Sequence, residues 1–128
     1  MHKKSFPNGL FISRMAILLW IFSMVIVCYL SLAPRVEPPL HFSYSDKVGH
    51  ALAYLWLSAL PYVGFERKKT ALFGSLLMIV LGMGLEFGQY FIPEREFSVW
   101  DMAANDIGVI LGIISGVVWK KKAWGQEG

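Results

Sequence analysis

The chain has 128 residues, of which 55% are hydrophobic and 16% charged, and its mean hydropathy is +0.51. A soluble domain carries roughly 25% charged residues, so this composition excludes an ordinary soluble domain. The formal net charge of +3 sits in short clusters near the chain ends and in one connection, which is a membrane-topology signal and not a nucleic-acid footprint.

Four apolar runs follow one another, at about 15–33, 48–65, 70–91 and 102–119. Each has about the 17–25 residues that cross a hydrocarbon core of roughly 30 Å. Backbone amides in lipid need internal partners, so each run is expected to be a helix. The first carries no charge. His2, Lys3, Lys4 and Arg14 precede or enter it, and Ser31-Leu32-Ala33 looks like a signal-peptidase site. Its apolar part is longer than the usual ~7–15 residues of a signal peptide, and Pro34 would follow the scissile bond, so a retained anchor is expected. Cys28, the single cysteine, forms no intrachain disulfide and reads as a small residue of the membrane core.

The second run contains His50, the third Glu86 and the fourth Asp106 as their only acidic or basic residues. Short connections then predict an all-α membrane protein: four transmembrane helices in a compact bundle, one domain over 1–128. Lys3, Lys4 and Arg14, then Arg67, Lys68 and Lys69, then Lys120, Lys121 and Lys122 all fall on one face of such a bundle. The positive-inside rule makes that face, and both termini, cytoplasmic. The connections 34–47 and 92–101 are then extracytoplasmic.

This topology gathers polar residues at the outer end. Asp46, Lys47 and His50 open the second run; Glu86, Gln89 and Tyr90 close the third; Arg95, Ser98, Asp101, Asn105 and Asp106 lead into the fourth. At about 100° per residue, Asp46, His50, Ala53, Tyr54 and Leu57 share a face. Glu86 and Tyr90 share one with Gly82 and Ser75, with Gln89 at its flank. Asp101 and Asn105 continue into Gly108, Gly112 and Gly116, a small-xxx-small ridge that brings helices close. Val109 and Val118 fall on other faces and are expected to tolerate enlargement. Asp106 lies roughly 100° from Asn105 and is left outside the inward set.

Each of these residues also has a plain structural explanation. Ser43-x-x-Asp46 and Ser98-x-x-Asp101 resemble capping boxes. Arg95 and Lys47 suit a head-group level, His50 suits an interfacial position, and the two tyrosines suit an interface or core. Glu86 is the hardest to dismiss, because an intramembrane acid costs on the order of 2.5–3.5 kcal/mol at the bilayer centre and less near its edge. It must be protonated or paired, with His50, Lys47 and Arg95 as candidates.

Three blocks now stand together: Asp46-Lys47-x-x-His50-x-x-x-Tyr54, then Glu86-x-x-Gln89-x-x-x-Pro93-x-Arg95, then Ser98-x-x-Asp101-x-x-x-Asn105-x-x-Gly108-x-x-x-Gly112. In this order the chain resembles the VanZ-like family, over about residues 44 to 117. The resemblance implies a multi-pass protein of the bacterial inner membrane. It places the chain near cell-envelope polysaccharides and low-level resistance to the glycopeptide-type antibiotic teicoplanin, and implies no defined reaction.

Three functions compete. In the first, an outward-facing pocket of Asp46, His50, Glu86, Gln89, Arg95, Asp101 and Asn105 binds an amphipathic envelope ligand: a lipid head group, a lipid-linked glycan or a lipoglycopeptide. Arg95 then holds a phosphate or carboxylate. In the second, the same pocket is a membrane enzyme, with His50 and either Asp46 or Glu86 as an acid–base pair. In the third, the cluster only locks the helices of an accessory subunit of an envelope machine. One histidine among scattered acids is a weak metal signal, so no metal or cofactor is expected. The expected partners are the lipid bilayer and an amphipathic ligand, with an envelope protein or a second copy as further candidates, and no nucleic acid.

Overall fold

The computed structural model describes residues 9–33, 45–93, 95 and 97–125, the side chains of residues 45, 46, 124 and 125 excepted. Four helices contain nearly all of them: α1 (Gly9–Leu32), α2 (Ser45–Gly64), α3 (Lys68–Tyr90) and α4 (Val99–Gly125), with no strand among the described residues. α1, α3 and α4 are long and apolar enough to cross a membrane. The apolar runs mark the helices but understate them. α1 starts six residues before the first run because Ser13 and Arg14 interrupt the hydropathy without breaking the helix. Lys3, Lys4, residues 34–44 and Glu94 lie outside the described residues.

α2 is the hub. α2 and α3 each touch the other three helices, α2 the more extensively, whereas α1 and α4 make no packing contact with each other among the described residues. α2 is also the one helix of the four that is not apolar enough by composition to cross a membrane, and a helix wrapped by neighbours needs less apolar surface. Only Val48, Gly49, Leu52 and Trp56 form its exposed stripe. Its 20 residues still reach ~30 Å. α1 is the reverse case, apolar on every side and buried only at Ala16 and Trp20. A helix with that surface requires an apolar solvent or partner around it.

The closest approach is between α4 and α2. A Cβ on Gly108 would collide with the Ala51 carbonyl, and one on Gly116 with the Tyr62 ring. One on Gly112 would lie 2.5 Å from Leu55 O and 2.7 Å from Ser58 Cβ. The glycine ridge therefore runs backbone to backbone along α2. Val109, expected on a tolerant face, is instead fully buried with Tyr54, Leu57 and Met78. α4 packs on α3 as well as on α2, so its buried arc is wider than the ridge. Val118 is exposed, as expected.

On α3 the buried seam is Ala71, Ser75, Met78, Gly82, Leu85 and Gln89, flanked by Gly74 and Glu86. Its steps alternate four and three residues, a 3.5-residue repeat that drifts around a straight helix. Tyr90, expected to face inward with Glu86, is 69% exposed. The seam has turned toward Gln89 by the last turn, and Tyr90 stacks edge-on against Phe91 with ring centroids 5.3 Å apart.

Pro61 inside α2 has no N–H, so the Leu57 carbonyl has no i+4 donor in its own helix. Trp20 of α1 supplies one: its indole Nε1–H donates to Leu57 O at 2.8 Å in the buried core. At the next residue, the Ser75 hydroxyl of α3 donates to Ser58 O at 2.6 Å. Trp20→Phe should cost about 1–3 kcal/mol by stranding a buried carbonyl. Adding Pro61→Ala returns the helix's own donor and should recover much of that loss. A double-mutant cycle on melting temperature tests it, and strictly additive effects would show that Trp20 is not answering Pro61.

Candidate functional site: a polar cluster at one end of the bundle

The ends of α1 and α3 and the starts of α2 and α4 lie together. The Lys47–Asp101 ion pair joins the two starts, and Gln89 reaches the end of α1. Here α4 begins with a divided cap. Ser98 is the N-cap, its Oγ accepting the Asp101 N–H at 3.2 Å. In an ordinary capping box the acid three residues on would take the N-cap amide in return. Here the Ser98 N–H goes instead to Glu86 Oε1 of α3, at 2.7 Å. The acid singled out by its expected insertion cost thus sits at the positive end of a neighbouring helix, where a carboxylate is stabilised. Glu86 is 1% exposed.

Released from that task, Asp101 faces α2. Its Oδ1 accepts Lys47 Nζ at 2.9 Å, and its Oδ2 lies 3.8 Å from His50 Nε2. The other side of the imidazole, Nδ1, pairs with Asn105 Oδ1 at 3.0 Å, donating when the proton is on Nδ1. The Asn105 amide nitrogen lies against Gly82, where any Cβ would approach it to 3.2 Å; the Tyr54 ring would be equally close. Gly82 therefore makes the room in which Asn105 and Tyr54 meet α3. Lys47, off the face of α2 that Asp46, His50 and Tyr54 share, is nonetheless a principal partner. Its long stem brings the ammonium around the helix, a reach that counting 100° per residue does not include.

Arg95 and Gln89 are turned elsewhere. Arg95 donates through Nε to Ala33 O at 3.1 Å and through Nη2 to Leu30 O at 2.8 Å. Gln89 Nε2 donates to Ser31 O at 3.0 Å. Both hold the final turn of α1, where helical carbonyls have no intrahelical donor and a cation is favoured. Lys120 does the same at the opposite end of the bundle, donating to the carbonyls of Tyr62 and Phe65 as α2 finishes.

Of the residues expected in the pocket, the structure brings His50, Glu86, Asp101 and Asn105 to one end of the bundle and turns Arg95 and Gln89 toward α1. The Asp46 side chain lies outside the described residues. Asp106 is half-buried on the flank of α4. Among the described residues the cluster is asymmetric: the Glu86 and Asp101 carboxylates are buried, while the Lys47 and His50 side chains remain 38% and 20% accessible. Such a surface can receive an anion. His50, between a carboxylate and an amide, can also exchange a proton.

No family profile matches the chain, and no solved structure matches it. A curated protein of Schizosaccharomyces pombe, itself described as uncharacterized, is 28% identical over 114 residues, which cover 87% of this chain and 68% of that one.

Proposed function

We propose that the chain is a VanZ-like integral membrane protein with four spans, α2 being the central one, and with both termini cytoplasmic. In this reading it resides in the bacterial plasma membrane. Its outward-facing cluster binds the anionic part of an amphipathic envelope ligand, such as a lipid head group, a lipid-linked glycan or a teicoplanin-like lipoglycopeptide. The observation that carries the reading is the half-open front of the cluster: Lys47 and His50 accessible, with Asp101 and Asn105 fixing both from behind. The membrane setting is supported by three helices of spanning length and composition. The family is supported by the three polar blocks, which meet at one end of the bundle.

A second reading has its own support. Arg95, Gln89 and Glu86 all satisfy backbone groups at helix ends. This favours a helix lock in an accessory subunit.

Topology is tested by cysteine labelling in a Cys28→Ser background. Cysteines at Lys68 and Lys121 should resist a membrane-impermeant thiol reagent in intact cells, and one at Glu94 should react; the reverse pattern would overturn the orientation. Ligand binding is tested on the full chain in nanodiscs. Lipoglycopeptide should bind saturably and lose at least tenfold in affinity in Lys47→Gln/His50→Gln. Unchanged affinity in that double variant would leave the helix lock as the better reading.

A further inference from the structure

We infer that the basic end of the α3–α4 seam is a binding site for an anionic phospholipid, with the lipid phosphate among three lysines and the acyl chain against the two helices. This site lies at the opposite end of the bundle from the cluster above and does not depend on its function. A cleft of about 210 Å³ opens there, lined by Tyr62, Lys68, Lys69, Leu72, Val117 and Lys120. Three of its six lining residues are lysines, and none is acidic.

The cleft has the amphipathic build of a lipid. Lys68 and Lys69 form the first turn of α3, and Lys120 approaches from α4. Leu72, one turn further along α3, and Val117, almost one turn back along α4, are 40% and 41% exposed. They give the phosphate level an apolar continuation toward the bilayer. The start of α3 adds to the attraction. Its N-cap, Arg67, is extended and its side chain makes no cap bond, and the positive end of the α3 dipole lies at this end of the cleft.

Lys120 is held in place for this role. It is only 5% exposed, and its ammonium is tied to the end of α2 by the Tyr62 and Phe65 carbonyls. Its charge is therefore fixed in the wall, while Lys68 and Lys69 are exposed and can close over a head group. A larger groove of about 500 Å³ shares Tyr62 and Lys120 but is also lined by Glu66. Its mixed charge makes it the poorer phosphate site. Basic pockets between membrane helices are the usual setting for anionic head groups.

The test uses delipidated full-length protein in detergent, titrated with phosphatidylglycerol or phosphatidylcholine of identical acyl chains and read by native mass spectrometry. Phosphatidylglycerol should be retained preferentially. Lys68→Gln/Lys69→Gln should weaken it roughly 30-fold, at about tenfold per 1.4 kcal/mol and about 1 kcal/mol per lysine. Lys121→Gln/Lys122→Gln changes the same charge on exposed residues outside the cleft and should leave retention unchanged. Val117→Trp, which fills the cleft and keeps every lysine, should also weaken retention. Excess inorganic phosphate at constant ionic strength should not displace the lipid. Equal retention of the two lipids, equal loss in the two lysine pairs, undiminished retention in Val117→Trp or displacement by phosphate would each overturn the site.

Discussion

Gly108→Ala is expected to cost about 3 kcal/mol and lower the melting temperature by roughly 10 °C, for a single added methyl group. The new Cβ would fall on the Ala51 carbonyl, which belongs to a helix backbone and cannot rotate aside. Relief requires α4 to withdraw from α2, and α2 is the helix on which the other three converge. Gly112→Ala meets the Leu55 carbonyl and Ser58 Cβ and should be similarly damaging. Gly49 and Gly84 have nothing within 4 Å of the corresponding point. Alanine there should stabilise by about 0.5–1 kcal/mol, since it removes the backbone freedom of glycine at no steric cost. Melting of the four variants in one detergent separates these cases. If Gly108→Ala and Gly84→Ala melt together, the α2–α4 seam is not the close contact described.

Glu86→Leu is expected to be the other large effect, at about 3 kcal/mol. It removes the carboxyl acceptor from the Ser98 N–H and leaves the part-buried N-cap amide of α4 without its partner; hydrogen bonds to charged groups contribute about 1.5–3 kcal/mol, and an unmet amide adds to the deficit. Glu86→Gln keeps an oxygen in the same place and should stay within about 1 kcal/mol of the parent. Thermal stability thus tests the cap, and lipoglycopeptide binding tests the charge. A Gln variant that folds but no longer binds would put the Glu86 charge in the ligand site. One that folds and binds would confine Glu86 to helix capping. Unchanged stability in Glu86→Leu would contradict the cap itself.

The helices and the glycine ridge were legible because each depends on a regular repeat. An apolar run of membrane length gives a helix, and small residues at every fourth position give a close approach. Several features escaped for reasons that are equally physical. Tyr90 was placed inward by a 3.6-residue period, but the seam of α3 advances by 3.5. Val109 was placed on a free face because the ridge marks one neighbour of α4, and burial comes from two. The roles of Arg95 and Gln89 were hidden because their acceptors are carbonyls, which every residue carries and no sequence pattern marks. The Trp20–Leu57 bond left a readable sign, Pro61 four residues after Leu57, though not the identity of the donor. The split cap at Ser98 was half legible: Ser98-x-x-Asp101 signalled the start of α4, while the replacement of Asp101 by Glu86 needs the third dimension.

The attachment of α1 has a consequence for how this protein can change over time. Four of its hydrogen bonds, donated by Trp20, Gln89 and Arg95, are accepted by main-chain carbonyls. Where Arg95 and Gln89 grip α1, they recognise that a helix ends and not which side chains it bears. Outside the positions that pack on the bundle, namely Ala16, Ile17, Trp20, Met24, Val27 and Leu32, the apolar letters of α1 are therefore interchangeable, and selection there acts on length and greasiness more than on spelling. The first helix is a replaceable part, and divergence should accumulate there before it reaches the helix at the centre.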